Sequence, residues 1–324
     1  MKAQILTTAT FLTALTGVLP AADQVLLNLV GPDAKVLAGV NVQQAKGTLF
    51  GQYVLNQIQS NNSEMQQLIA LTGFDPTRDV NETLVASSGT PDTGLALARG
   101  SFDIGKITAA ASAKGAVSEA YGGVNILEDP KQGHGLAFLD STTAVAGDLA
   151  SVKGAIDRQK NPQPLPSSVT VQIGQIGQTL QLNGNPDAWV LCTVPPSSLA
   201  PPAAASAKGG QVPPAFQSVQ SVIGGVKFGT NVVFAGQAQA DTAQNASTLG
   251  DMVKLLINLA QMNASTNPQA AQLAQQVQVN ASGTMLTVSL SMPEDQFQQL
   301  VKLGQRGGAT PAGRRAYREG APRR

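Results

Sequence analysis

The sequence predicts an α+β protein made of two tandem copies of a β-α-β-β-α-β-β-α unit, with mostly antiparallel sheets packed against helices. Three observations carry this. A nine-residue segment recurs 154 residues further along the chain. After each copy, β-branched runs and stretches of helical periodicity follow one another in the same order. A proline-rich connector stands between the two.

The recurring segment is Pro32-Asp33-Ala34-Lys35-Val36-Leu37-Ala38-Gly39-Val40, which returns as Pro186-Asp187-Ala188-Trp189-Val190-Leu191-Cys192-Thr193-Val194, with six of nine positions identical. The match runs backwards without a gap, placing Gln24 and Leu26 on Gln178 and Leu180. In each copy a helix-like stretch precedes the segment, and a β-rich run (Val36 to Val42, Trp189 to Val194) follows its Pro-Asp-Ala. An apolar-periodic helix is expected next, through Val54, Leu55 and Ile58 in the first copy and through Phe216, Val219 and Val222 or Ile223 in the second.

Hairpin candidates follow: Thr83 to Ser87 with Leu95 to Arg99, and Val226 to Gly229 with Asn231 to Ala240. A further helix is expected over Asp103 to Ala113, and over Ser247 to Met262 in the second copy. Then comes a second strand pair: Val117 to Leu127 with Leu136 to Ala146, or Val277 to Asn280 with Met285 to Ser291. Each unit closes on a helix. Asp148 can cap the first, whose apolar face is Leu149, Val152 and Ile156. Ser291-Met292-Pro293-Glu294 reads as a capping box ahead of Phe297, Leu300 and Val301.

These boundaries divide the chain into a leader (1–22), a first α+β repeat (23–160), a connector (161–166), a second repeat (167–305) and a disordered basic tail (306–324). The leader has Lys2, an apolar stretch from Ile5 to Leu19 and small residues at Ala21 and Ala22. That is the pattern of an export signal cut at Ala21 or Ala22, and it places the protein in the periplasm or outside the cell, as a soluble protein. The stretch is short for a membrane span. The connector Asn161-Pro162-Gln163-Pro164-Leu165-Pro166 cannot continue a helix. Pro195 to Pro214 reads as a second loop, inside the second repeat.

Composition narrows the function classes. With 324 residues, 42% of them hydrophobic, the chain can bury a core. Only 13% are charged and the net charge is +1, so no long-range field steers a polyanion, and specific nucleic-acid binding is not expected. At 4% aromatic content, platforms for sugars or unpaired bases are scarce. The tail holds six arginines and one glutamate, a net +5 that leaves −4 for the rest; it can contact an anionic polymer or lipid.

No catalytic, cofactor-binding or metal site is read from the residues. One histidine and one cysteine cannot build a zinc site, and Cys192, in an apolar run, reads as core. Asp75, Asp79, Asn81 and Glu82 lack calcium-loop spacing and read as turn and capping residues. His134 reads as a hairpin-turn residue with no nucleophile elbow near it. Glu128 and Asp129, adjacent at a strand end, point to opposite faces. Gly122-Gly123 and Gly224-Gly225 read as turns or bulges rather than a phosphate loop, and the five Asn-x-Ser/Thr triplets as chance in an Asn- and Thr-rich chain.

The helix expected over Ser247 to Met262 is more apolar than a surface helix needs to be. Leu249, Met252, Val253, Leu256 and Leu259 are candidates to line an apolar groove, and packing on a sheet is the plainer explanation. The Pro-Asp-Ala-x-Val segment, the Phe74-Asp75-Pro76-x-Arg78-Asp79 turn and the Ala146-Gly147-Asp148 junction together resemble a loose group of uncharacterised exported bacterial proteins with duplicated α+β repeats. The resemblance implies export and this fold, and carries no site residues. The expected role is non-enzymatic: a binding or structural module acting through the surface or groove between its repeats on a macromolecular partner in the envelope. The alternatives are a carrier of a lipid or other apolar ligand, and an enzyme of unrecognised type.

Overall fold

The structure is a computed structural model that describes residues 21–61, 63–90, 92–196, 214–262, 264 and 268–299. Leader residues 1–20, most of the Pro195 to Pro214 loop, residues 300–305, which include Leu300 and Val301 of the expected closing helix, and the basic tail lie outside the described residues.

Twelve strands form a single antiparallel sheet, so the fold is α+β as the sequence predicts, with one continuous sheet running through both halves. At its centre β1 (Val36–Asn41) pairs with β8 (Ala188–Cys192), the two strands that carry the recurring segment. Their register sets Leu37 opposite Leu191, each the counterpart of the other at the 154-residue offset. The local two-fold relating the two strands therefore passes between these leucines, both fully buried.

Outward from β1 lie β2 (Val80–Ser87), β3 (Leu95–Gly100), β7 (Thr143–Asp148), β6 (His134–Asp140), β5 (Val124–Asp129) and β4 (Val117–Tyr121). Outward from β8 lie β9 (Val219–Lys227), β10 (Asn231–Ala240), β12 (Met285–Pro293) and β11 (Val277–Ser282). The first half thus has one hairpin more than the second. Val117 to Leu127 and Leu136 to Ala146, each expected as one strand, are two strands apiece. Gly122 and Gly123, at φ +56° and +82°, turn the chain between β4 and β5, a conformation that glycine adopts without a steric penalty.

The helix expected through Phe216, Val219 and Ile223 is corrected to a strand. Only α10 (Pro214–Gln217) is helical there, and β9 begins at Val219. A bulge causes the misreading: Gln239 and Ala240 face Ser221 and Val219, so Gln220 is skipped and the alternation of faces resets. Val219 and Val222 then share one face while Ile223 takes the other, which imitates helical spacing.

One face of the sheet, here called the proximal face, holds the largest core. Leu37, Leu84, Leu97, Ile126, Val145 and Leu191 point into it. It is covered by α1 (Gln24–Leu27), α7 (Leu149–Lys160), α8 (Ser167–Gly174) and α9 (Ile176–Thr179). The distal face carries α2 (Val42–Lys46), α3 (Leu49–Asn61), α4 (Ser63–Thr72), α5 (Pro76–Asp79) and α6 (Ile104–Ala113) over the first half. Over the far end of the second half it carries α11 (Ala243–Met262) and α12 (Pro268–Gln276). The closing helix, α13, spans 294–299. Ser291, Met292 and Pro293 belong to β12 instead of a cap, because they pair with Val233, Val232 and Asn231.

Candidate functional site

The distal face is covered at its two ends and left open in the middle. A single row of residues in register crosses eleven strands there: Leu127, Leu136, Ala146, Ala96, Val85, Ala38, Val190, Gly224, Gly236, Val288 and Val279. Every member is apolar or glycine. At about 4.8 Å between strands the row is roughly 48 Å long. Val85 is 49% exposed and Val190 38%, values far from those of core residues.

The row floors two shallow depressions. One, of about 700 Å³, lies over Val85, Ala96, Leu127, Leu136 and Ala146, with Ala111 of α6 beside it. The other, of about 620 Å³, lies over Val190, Gly224, Gly236 and Val288, where the glycines lower the floor. Ala38, in register with both Val85 and Val190, joins them across the junction of the halves. Each volume is in the range of small-molecule sites.

Aromatic packing meets the second depression, whose lining includes Phe234. Phe297 of α13 lies 5.0 Å from Phe234, and Phe50 of α3 lies 4.6 Å from Phe297 and 5.1 Å from Phe228 in edge-to-face arrangements. A helix from the first half is thereby held to Phe228, just past β9, and to α13 of the second. Phe50 itself is buried.

The residues expected to line an apolar groove on α11 are split. Leu249 is buried against Leu286, and Val253 packs on the same cluster, so these hold the helix to the sheet. Gly250 lets α11 approach, with Leu286, Ala281 and Val279 at van der Waals distance from where a side chain would begin. Met252 is half-buried. Leu256 at 61% and Leu259 at 45% exposure face outward, with Leu255 and Met262. Sequence periodicity put both stripes into one candidate groove and did not separate them. It missed the strand row, because Ala, Gly and Val alternating with core residues look the same whether or not a helix covers them.

Polar residues stand at the rim of the first depression or away from the row. Asp148 accepts hydrogen bonds from the Ser151 and Gly94 amides, both at 3.0 Å, as the expected cap of α7. Burial pushes its carboxyl up, but these bonds together hold it below the usual aspartate range. Asp75 caps α5 through the Thr77 amide, and Asp79 is held by Arg78, whose guanidinium lowers its pKa. Glu82 accepts the Asp23 amide at 2.6 Å, and burial raises its carboxyl above the ordinary value. His134 opens β6, exposed, opposite Asp129 and Asp148. Cys192 is buried and its thiol meets the Val194 carbonyl. Among the described residues there is no group of three or more His, Cys, Asp or Glu that could hold a metal, and no helix long and apolar enough to cross a membrane.

No protein-family model and no curated protein matches the chain. Among solved structures, crystal form III of TP0453 matches with a TM-score of 0.53 at 10% identity, covering 86% of this chain and 97% of that one. Crystal form I of TP0453 matches at 0.50 and 10% identity, over 86% and 96%. The likeness is one of fold.

Proposed function

We propose that this protein is a non-enzymatic, exported binding module whose partner seats an apolar segment on the open row between the two halves. The observation that carries the reading is the row itself: eleven strands present apolar or glycine positions in register, and the middle of it is exposed. A single antiparallel sheet with one wet face normally alternates apolar-in with polar-out. The exposed middle of such an apolar row is the kind of surface that proteins keep for partners. The N-terminal basic, apolar and small-residue pattern supports export, and supports a partner in the envelope or outside the cell.

The proposed absence of catalysis rests on the residues around the row. Its middle has no titratable side chain; the titratable groups lining the first depression are Asp92, Asp129, His134 and Asp148, with Asp148 committed to capping α7. The apolar lining also favours a second reading, a carrier of a lipid or another apolar molecule.

A charge placed on the floor tests both. Val190→Asp, compared with Leu71→Asp on exposed α4, is expected to remove partner capture or displacement of a fluorescent fatty acid while leaving the circular dichroism spectrum unchanged. Native mass spectrometry of protein purified from its host separates the readings, since a carrier arrives with ligand mass bound. Turnover in an unbiased hydrolase screen that disappears on His134→Ala would overturn the non-enzymatic reading.

A further inference from the structure

The leader pattern in the sequence ends in two alanines, and removal of the leader at either one would start the mature chain at Ala22 or Asp23. In the fold, those alanines are structural. Ala21 is 7% and Ala22 3% exposed, and both belong to the main core with Leu26, Leu27 and Val30 of the segment that follows. The Ala21 carbonyl accepts the indole N–H of Trp189 at 3.0 Å, in a buried bond between residues 168 apart. Trp189 lies over Gly39, so the indole is wedged between the N-terminal segment and the central strand pair.

The next residue is tied to the other half. The Asp23 amide donates to Glu82 on β2, its carboxylate caps α1 through the Val25 amide, and it pairs with Arg99 on β3 at 3.3 Å. Residues 21–23 therefore bind the second half through Trp189 and the first through Glu82 and Arg99. A chain beginning at Asp23 lacks the carbonyl that satisfies the indole and leaves the space of two alanines empty. A chain beginning at Ala22 lacks the same carbonyl and one of the two buried alanines, leaving the indole N–H without its acceptor.

We infer that Ala21 and Ala22 are part of the folded protein, and that processing which frees the chain from its apolar leader cuts before Ala21. The inference rests on the export reading only for the existence of a cut. The N-terminal latch itself is a matter of packing.

Two measurements test it. N-terminal sequencing of protein recovered from its host is expected to begin at Ala21 or upstream. A first residue of Ala22 or Asp23 overturns the inference; in the latter case the new ammonium would sit on the Glu82 carboxylate. A chain intact from Met1 supports the latch and instead removes the case for a cleaved leader, so the two claims fail separately. In the second measurement, chains released from a tag to begin at Ala21 or at Asp23 are compared. The Asp23 chain is expected to melt roughly 3 °C or more lower and to shift the emission of Trp189 to the red. Equal Tm and equal emission in the two chains would overturn the inference.

Discussion

Gly39→Ala is the sharpest probe of how the halves are joined. A methyl group at this position would lie 2.4 Å from the Trp189 indole nitrogen and 2.6 and 2.8 Å from two ring carbons, against ordinary carbon contacts of about 3.5 to 4.0 Å. The ring must therefore retreat by about 1 Å. It has little room to do so, because its N–H is held by the Ala21 carbonyl at 3.0 Å and its other face meets the core. Overpacking of this kind costs about 1–3 kcal/mol, and stretching the buried N–H away from its acceptor adds about 1–3 kcal/mol. The gain from replacing a strand glycine returns about 0.5–1 kcal/mol. The expected net loss is about 1–5 kcal/mol, a large share of a typical domain's stability. Urea unfolding followed by Trp189 fluorescence reads it directly, since Trp189 is the single tryptophan. Gly236→Ala is the control: its nearest neighbour would be the Ile223 carbonyl at 3.7 Å, an ordinary contact. Loss within about 0.5 kcal/mol for Gly39→Ala, with unshifted emission, would refute the wedge.

Leu191→Ala, at the buried leucine pair, is expected to lower unfolding free energy by about 2–5 kcal/mol, whereas Leu256→Ala on the outer flank of α11 should change it by less than about 0.5 kcal/mol; similar urea midpoints for the two would contradict the burial pattern. Asp148→Ala should cost about 1 kcal/mol at pH 7 through loss of the α7 cap. The folded-state pKa of Asp148 is depressed, so its contribution is present above the unfolded value of about 4 and disappears as pH falls through the folded one; a mutational difference that does not shrink as the pH is lowered through the acid range would be inconsistent with this. Glu82 has the opposite sign. Its folded-state pKa is raised by burial, so wild type loses stability relative to Glu82→Gln as pH climbs from below the unfolded value, about 4.3, through the folded one. Thermal melts across pH 3.5 to about 7 should show the glutamine variant gaining on wild type, and a constant gap would contradict the assignment.

Much of the fold was legible in the sequence, for identifiable reasons. The Pro-Asp-Ala segments marked the two strands that meet at the sheet centre, Asp148 announced α7 as a cap before an apolar-periodic run, and the helix expected over Asp103 to Ala113 is α6, with Asp103 as its cap. Two kinds of feature escaped. The bulge at Gln220 gave a strand the spacing of a helix, and β4 and β5, joined by two glycines, read as one long strand. The candidate site was the least legible part. Leu256 and Leu259 stand out in a helix that needs only one apolar face, but Ala38, Val85 and Val190 become notable only once the strands are aligned and the helices are seen to leave them open.

The leucine pair at the sheet centre has an implication for how such a chain is assembled. A strand that lies antiparallel to a near-copy of itself, with each leucine facing its own equivalent, is a self-matching edge, the geometry by which separate subunits associate two-fold. In one polypeptide the tether through residues 161–166 keeps the two edges at high effective concentration, so the junction forms at any dilution. Cut at that tether, each part would bare an unprotected strand and seek either its mate or another copy of itself, and the balance between these would be set by how Trp189 and Gly39 fit only in the mixed pair.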